Sequence, residues 1–357
     1  MNMKNDEGEN PLDKLPPILK KDLNEKVYLN IMQDWTYTYS QLSSHSVGQL
    51  VAQNYNLDDS LSCKFYVLGL HDNYLIECKK AKYILRLYRN NWRTQEEIGF
   101  ELELLAFLNS KTNQVAGPVL TKSGELTFKV ESPEGERVAA LFYYADGYAP
   151  DKAIQADEAE LLGSAVANIH QLSEPFTTTY TRTPLDISHL LDESILAIES
   201  FISPQEYAYL IKLQEKLHKV LPGIEQEMDV YGICIGDVNP TNFHINQNKQ
   251  ITLFDFDQCG YGYRAFEIGK FFSSIHFHKE RSAVKIAFLK GYQKKRSLSD
   301  AETKVIPYFE LVSVIWVMAI HALNVERIGY KYLEKSFWDR KLAILETLEA
   351  EWLNNHP

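Results

Sequence analysis

Two acidic motifs on either side of a short predicted hairpin constrain the fold of this chain more than any other feature. The first motif runs from residue 235 to Asn242, and the second begins at Asp255. Between them, the β-rich runs 243–246 and 250–253 are joined by a polar turn and predict an antiparallel hairpin. Antiparallel pairing would bring Asn242 and Asp255 to the same end of this hairpin, where their side-chain oxygens could meet as ligands of a hard cation do.

Each motif alone has an ordinary structural explanation. Asp, Asn, Pro and Gly cluster in turns, and Asp255 could simply cap the end of a strand. Together, however, the motifs supply in order a carboxylate that orients an attacking hydroxyl, then an amide oxygen and a carboxylate that hold Mg²⁺, which are the groups that phosphoryl transfer requires. We therefore predict Asp237 as the catalytic base or hydroxyl-orienting group, with Asn242 and Asp255 as metal ligands. Asp257 could be a further metal carboxylate or a solvated loop residue, and we place it with the predicted metal ligands.

These motifs resemble those of a known family. Residues 236–242 and 255–257 are similar to the catalytic loop and metal segment of the aminoglycoside phosphotransferase family, which also includes choline, homoserine and methylthioribose kinases and a bacterial stress-response protein kinase. Residues 260–267 resemble the family's Gly-x-Gly-x-x-x-x-Asp segment, and residues 288–292 resemble a C-terminal helix of uncharacterised bacterial members. The resemblance extends, with gaps, over about residues 60–275.

The periodicity of apolar residues divides the chain into three parts. Residues 1–59 are predicted to form an N-terminal extension with a helix at 43–56. Residues 60–145 are β-rich and predict a nucleotide-binding lobe, whereas residues 146–357 are mainly helical and predict a catalytic and substrate-binding lobe. The family resemblance implies the same arrangement, a bilobal protein-kinase-like fold of the α+β class, with ATP and Mg²⁺ as cofactors.

A strand cation paired with a helix carboxylate holds the nucleotide phosphates in kinase-like folds. Arg86 lies in a predicted strand, and Glu101 falls on the apolar face of the next predicted helix. A carboxylate buried there needs a partner, so we predict that Arg86 pairs with Glu101 and that both bind the nucleotide. A purely structural ion pair is the alternative, and Lys82, on the same strand face as Arg86, is the second candidate for the cation.

Three further nucleotide contacts are predicted from their positions in the β-rich lobe. Gly69 lies in a predicted hairpin turn and could permit close approach of the backbone to phosphates, although an ordinary turn is equally compatible. Tyr143 and Ala145 occupy the expected hinge between the lobes, where their backbone could meet adenine. The end of an apolar strand would explain these two residues as well.

Two positions depart from the family pattern. Ile235 stands where the family usually has a histidine that braces the catalytic loop through hydrogen bonds, and Glu267 stands where Asp is more usual. Because Ile cannot form those hydrogen bonds, we expect Ile235 to pack into an apolar pocket, which leaves the source of loop rigidity open. His170 falls on the apolar face of a predicted helix and is expected to be a core or groove-wall residue.

Composition disfavours several classes of function. The net charge of −11 disfavours nucleic-acid binding, although an acidic chain would suit a cationic substrate. The N-terminus is polar rather than a signal peptide, and the longest apolar stretch, 311–320, is too short to span a bilayer. The four cysteines show no Cys-x-x-Cys spacing. These features predict a cytoplasmic protein with no membrane partner.

The sequence as a whole predicts an ATP- and Mg²⁺-dependent phosphotransferase. Its acceptor would be a hydroxyl of a small molecule such as an aminoglycoside-like antibiotic, an amino alcohol or a hydroxy amino acid. The segment from Asp255 to Glu267 is too short for a long activation loop, which favours a small acceptor over the alternative of a Ser/Thr protein kinase. An inactive nucleotide-binding pseudokinase is the other alternative, suggested by Ile235 and Arg86. The sequence decides neither the acceptor nor the oligomeric state.

Overall fold

The β-rich part of the chain forms one antiparallel sheet with a helix against each face. The computed structural model describes residues 36–57, 60–150, 154–221 and 230–355. The sheet contains strands β1 (Ser62–Leu68), β2 (Asp72–Glu77), β3 (Lys82–Leu87), β4 (Pro118–Val119), β5 (Phe128–Ser132) and β6 (Gly135–Tyr143), and its helices are α1 (Ser44–Asn54) and α2 (Gln95–Asn109). The strand order is β1-β2-β3-β6-β4, and β5 pairs with β6.

The alternation of side chains along β3 decides which of them face the cleft. Leu85 and Leu87 belong to a buried cluster with Val47 and Val51 of α1. Successive residues of a strand point to opposite faces, so Arg86 points away from α1 and toward α2. The sheet therefore buries its apolar face under α1 and presents Arg86 on the other face.

The rest of the described chain is mainly helical and contains two small two-stranded sheets. One pairs β7 (Tyr231–Cys234) with β10 (Gly260–Tyr263), and the other pairs β8 (Phe243–Ile245) with β9 (Ile251–Leu253). The helices are α3 (Ala156–Ser173), α4 (Glu193–Ile198), α5 (Pro204–Val220), α6 (Arg264–Ser274), α7 (Arg281–Gln293), α8 (Asp300–Leu323), α9 (Val325–Ile328) and α10 (Lys335–Asn355). The predicted α+β class and the β8–β9 hairpin are both confirmed.

Helix α8 runs through the core of the helical part. Among the described helices it is the one that is long and apolar enough, by length and composition, to cross a membrane. However, 78% of its most apolar window is buried inside the protein, including Leu311 and Ile315 with no exposed surface. A helix that is apolar all round and buried in this way is the ordinary core helix of a large domain.

Helices α3 and α7 pack closely because each presents a glycine to the other. A Cβ atom on Gly163 would lie 2.0 Å from the carbonyl oxygen of Phe288, and one on Gly291 would lie 1.8 Å from the carbonyl oxygen of Glu160. Glycine in a helix interior costs about 1 kcal/mol relative to alanine. The close approach of the two backbones explains why both positions carry glycine.

We predict that Gly291→Ala lowers the free energy of unfolding by about 1–3 kcal/mol, because the new methyl group cannot fit against α3 without moving it. Gly48→Ala in α1 is the matched control, since its Cβ would lie 3.4 Å from the Cβ of Cys63, an ordinary contact. That control should be neutral or slightly stabilising. Urea denaturation measures both variants, and equal stability of the two would contradict this account of the helix packing.

Candidate active site

A buried carboxylate from α6 braces the loop that carries Asp237. Glu267 has no exposed surface, and it accepts hydrogen bonds from the backbone N–H groups of Ile235 (2.5 Å) and Gly236 (2.9 Å). Gly236 has a φ of +89°, and a Cβ there would lie 2.0 Å from the carbonyl oxygen of Gln258. The loop can therefore adopt this path only with glycine, and Glu267 holds both peptide groups in place.

His170 of α3 supports this brace from behind. Its Nε2 lies 3.3 Å from Glu267, and its Nδ1 lies 2.8 Å from the hydroxyl of Tyr292. Burial lowers the pKa of His170 and favours the neutral imidazole. Ile235 is 1% exposed, as expected, and its backbone N–H donates to Glu267. The loop is thus held by the buried carboxylate of Glu267, although the side chain at position 235 offers no hydrogen bond.

The brace includes a thiol but is not arranged as a metal site. Ligand atoms of His170, Cys234 and Glu267 lie within 4.8 Å of one another. Burial raises the pKa of Cys234 well above its usual value, so that the thiol stays protonated. Both oxygens of Glu267 are already used by backbone N–H groups. We interpret the cluster as support for the loop.

Asp237 lies between two side chains that fix its orientation. Its Oδ1 is 2.7 Å from Nζ of Lys270, and its Oδ2 accepts a hydrogen bond of 2.8 Å from Nδ2 of Asn242. Burial alone would raise the pKa of Asp237, but the Lys270 ammonium and the hydrogen bonds from Asn239 and Asn242 hold this pKa below its usual value. Asp237 is therefore an ionised hydrogen-bond acceptor with little tendency to take up a proton.

Lys270 was not among the residues predicted from sequence. It is 4% exposed and lies on α6, three residues after Glu267. Both charges occur in an otherwise apolar run, and this spacing puts them on one side of the helix. Two opposite charges on one face of an otherwise apolar helix, ten and thirteen residues after Asp257, were a usable signal.

The β8–β9 hairpin brings Asn242 and Asp255 together as predicted. Their segments are joined where the N–H of Phe254 donates to the carbonyl oxygen of Asn242 (3.0 Å). The Asn242 amide group donates to both the side chain and the backbone oxygen of Asp237, so its Oδ1 is left to accept. Asp255 has a φ of +62°, a conformation that Asp tolerates better than most residues and that is concentrated at functional sites.

Arg86 joins the sheet, α2 and the metal segment. Its Nη1 donates to Glu101 and its Nη2 donates to Oδ1 of Asp255, each at 2.9 Å. The second oxygen of Glu101 accepts a bond of 2.9 Å from the hydroxyl of Tyr88. The predicted pair Arg86–Glu101 is thus present, whereas the alternative cation Lys82 is half-exposed and lies 3.5 Å from Glu77.

Asp257 is held by a different set of side chains from the other predicted metal ligands. One of its oxygens is 2.9 Å from Nε2 of His71, and the other accepts a bond of 3.0 Å from Nε1 of Trp92. Arg93 also donates to this carboxylate at 3.1 Å. Burial would raise the pKa of Asp257, but Arg93 and His71 hold it well below its usual value. These contacts join Asp257 to the turn between β1 and β2 through His71, and its assignment as a metal ligand stays a prediction.

Two cavities meet at the loop 237–242. The first, of about 590 Å³, lies under the sheet and is lined by Arg86, Asn242, Asp255 and all three of the remaining predicted nucleotide contacts, Gly69, Tyr143 and Ala145. The second, of about 450 Å³, lies against α6, α8 and α10 and includes Asp237 and Lys270. Thr241 lines both cavities. Asp237 thus lines one cavity, whereas Asn242 and Asp255 line the other.

Comparisons with known proteins agree with this geometry. The family model of the phosphotransferase enzyme family matches residues 66–304. An uncharacterised protein of Synechocystis is 35% identical over 317 residues, which cover 88% of this chain and 88% of that protein. Two solved structures are similar in fold. A microcompartment-associated aminopropanol kinase has a TM-score of 0.71 and 22% identity, and the match covers 85% of this chain and 95% of that one. An amicoumacin kinase in complex with AMP-PNP and Ca²⁺ has a TM-score of 0.69 and 21% identity, and the match covers 88% of this chain and 95% of that one. They confirm the predicted fold.

We predict that Glu267→Gln lowers the free energy of unfolding by about 1–3 kcal/mol. A glutamine offers one oxygen and one NH₂ group, so that one of the two backbone N–H groups of Ile235 and Gly236 loses its acceptor and faces a donor instead. Glu215→Gln, at an exposed position on α5, is the matched control. Thermal and urea melts of both variants test this, and a Glu267→Gln protein as stable as the control would show that the brace is not needed.

Proposed function

This chain belongs to the phosphotransferase enzyme family, and we propose that it transfers the γ-phosphoryl group of ATP to a hydroxyl of a small molecule in the cytoplasm. The observation that carries this proposal is that Asp237 lines one cavity and is hydrogen-bonded to Asn242, which lines the other. On one side lie the oxygens suited to a nucleotide-bound cation, and on the other lies a cavity of the size of a metabolite or small antibiotic.

The first cavity fits the nucleotide. Its hinge side ends at Tyr143 and Ala145, and the N–H of Tyr143 is already bonded to the carbonyl oxygen of Gly117 (3.0 Å). We therefore assign the contact with adenine to the backbone of Ala145. Arg86 and the turn at Gly69 would lie along the phosphates, and a Cβ on Gly69 would have no neighbour closer than 3.7 Å, which leaves that side open to a ligand.

The oxygens of Asn242 and Asp255 fit a magnesium ion. Both are hard donors in one cavity, and Asn242 is oriented by Asp237 so that Oδ1 rather than its NH₂ group is available. Asp255 binds Arg86 through Oδ1 and keeps Oδ2 for a further partner. Mg²⁺ bound there would offset the negative charge of the nucleotide phosphates. Asn242 and Asp255 are the ligands that we propose, without Asp257.

Asp237 would orient the acceptor hydroxyl rather than remove its proton early. A carboxylate whose pKa is held below its usual value is a weak base, but it remains a good acceptor for the hydroxyl hydrogen. Phosphoryl transfer through a loose transition state needs mainly the positioning of the nucleophile and compensation of charge. Lys270 and Asn242 supply that positioning by fixing both oxygens of Asp237.

A small acceptor fits the second cavity better than a protein chain does. The cavity is walled by three helices and has a volume of about 450 Å³, whereas a peptide would need an extended groove. The two similar solved structures are named for an aminopropanol and an antibiotic, both small molecules. The complete set of Asp237, Asn242, Asp255 and the Arg86–Glu101 pair favours an active enzyme over a pseudokinase.

We predict that Asp237→Asn and Asp255→Ala fail in different ways. Asp237→Asn should lower turnover by at least about a hundredfold while Mg-ATP affinity stays nearly unchanged, because this side chain acts on the acceptor. Asp255→Ala should instead lose the Mg²⁺-dependent part of ATP binding, since the ion loses its carboxylate. Calorimetry gives the affinities, and a screen of hydroxylated metabolites and antibiotics with mass detection of the phosphorylated product gives turnover.

Each outcome of that experiment bears on a separate part of the proposal. Turnover of Asp237→Asn close to that of the wild type would remove Asp237 from its role. Unaltered Mg-ATP affinity in Asp255→Ala would remove the metal assignment. A wild-type protein that binds Mg-ATP but phosphorylates no small molecule, and does phosphorylate protein serine or threonine, would favour the protein-kinase alternative.

A further inference from the structure

The charges that line the second cavity are unusual for a chain with a net charge of −11. Among its described lining residues, the charged side chains are one carboxylate, Asp237, and two ammonium groups, Lys270 and Lys341. Lys270 is bound to Asp237 at 2.7 Å, so these two charges offset each other. The cavity is thus left with the positive charge of Lys341.

Lys341 lies on α10 and has no carboxylate within ion-pair distance among the residues that the structure describes. Its Nζ lies 5.9 Å from the centroid of the ring of Phe337. Burial, together with the positive charges of Lys270 and Arg340, lowers the pKa of Lys341 to about 8. A lysine in these surroundings is stabilised by an anion, because a negative partner restores the charge that burial disfavours.

A second donor lies in the same cavity. Nδ1 of His278 accepts a hydrogen bond of 3.1 Å from the backbone N–H of Glu280, which places the ring proton on Nε2. Phe277 beside it also lines the cavity and is 77% exposed, so a bound molecule could cover its ring. The cavity thus offers one ammonium group, one imidazole N–H and one exposed ring. These groups favour a ligand that is anionic and partly apolar.

We propose that the acceptor carries a carboxylate that binds Lys341 while its hydroxyl lies at Asp237. This inference rests on the proposed function, since it names the class of acceptor for the same site. The acceptor would be a hydroxy acid or a hydroxy amino acid. Amino alcohols and polycationic aminoglycosides are disfavoured, because their ammonium groups would lie beside Lys341 without a carboxylate to receive them.

A carboxylate fits the cavity better than a phosphate does. The three charged side chains, two positive and one negative, leave a net charge of one, which matches a monoanion. A phosphate dianion would call for a second unpaired cation. The overall acidity of the protein has little influence here, since exposed charges farther away than about 10 Å are largely screened at ordinary ionic strength.

The test is the binding of acceptors that differ only in charge. Hydroxy acids, diols and amino alcohols of matched chain length, beginning with 4-hydroxybutanoate, 1,4-butanediol and 4-aminobutan-1-ol, are titrated into the full-length protein by calorimetry, with and without Mg²⁺ and AMP-PNP. We expect the hydroxy acids to bind most tightly and the amino alcohols least. Lys341→Met should lower the affinity for the hydroxy acids by about ten- to a hundredfold and leave the affinity for the diols unchanged.

Two further variants keep the test specific. Lys341→Arg retains the charge and should retain the preference for hydroxy acids even if Lys341→Met is poorly folded. Arg340→Met removes an equal charge from the adjacent, exposed position, where it acts on Lys341 only from a distance, and should change the affinities far less than Lys341→Met does.

The inference is overturned if amino alcohols bind the wild-type protein as tightly as hydroxy acids, or if Lys341→Met leaves the affinity for hydroxy acids unchanged. Phosphate monoesters that bind more tightly than the matched hydroxy acids would overturn the choice of a carboxylate. Phosphorylation is measured separately by mass detection. A hydroxy acid that binds through Lys341 but never gains a phosphoryl group would contradict the proposed function, while the binding of a carboxylate at Lys341 would stand.

Discussion

The two contacts of Arg86 are the interactions on which the rest of the active site depends. One guanidinium side chain, on the central strand β3, binds Glu101 of α2 and Asp255 of the proposed metal segment. Arg suits this position because its planar guanidinium group can donate to two carboxylates at once in fixed directions. The donors of a lysine ammonium group are less fixed in direction. The contact with Glu101 is fully buried, so loss of either partner there would leave an uncompensated charge. Sheet, helix and second motif are therefore fixed relative to one another by one side chain.

The same principle is repeated at the other buried carboxylates near the cleft. Glu267 receives two backbone N–H groups of the catalytic loop, and Asp257 receives His71, Trp92 and Arg93. Each carboxylate accepts hydrogen bonds from protein donors in place of the water that it loses on burial. A buried charge that is hydrogen-bonded in this way gives a rigid structure. Asp237 is then positioned by a loop that has little freedom to move, and the proposed reaction needs such positioning more than it needs a strong base.

Spacing in the sequence was sufficient for the groups whose placement follows from local structure. Asn242 and Asp255 meet because a hairpin joins them, and Arg86 faces Glu101 because strands alternate and helices repeat with a fixed period. Long-range packing decided the rest. Nothing near Asp257 in the sequence shows that His71, 186 residues earlier in the chain, contacts its carboxylate. Lys341 enters the second cavity only because α10 packs beside α8, and the bonds between Glu267 and the catalytic loop depend on how α6 meets that loop.

The most direct measurement of the central claim compares Arg86→Ala with the double variant Arg86→Ala/Glu101→Gln, and uses Lys82→Ala on the same strand as the control. Arg86→Ala should lose about 3–5 kcal/mol of unfolding free energy, because Glu101 is left buried without its cation, and should bind Mg-ATP weakly. The double variant should recover part of the stability and none of the affinity for Mg-ATP. If Arg86→Ala instead binds Mg-ATP as tightly as the wild type and melts at the same denaturant concentration as Lys82→Ala, then Arg86 does not hold this site together.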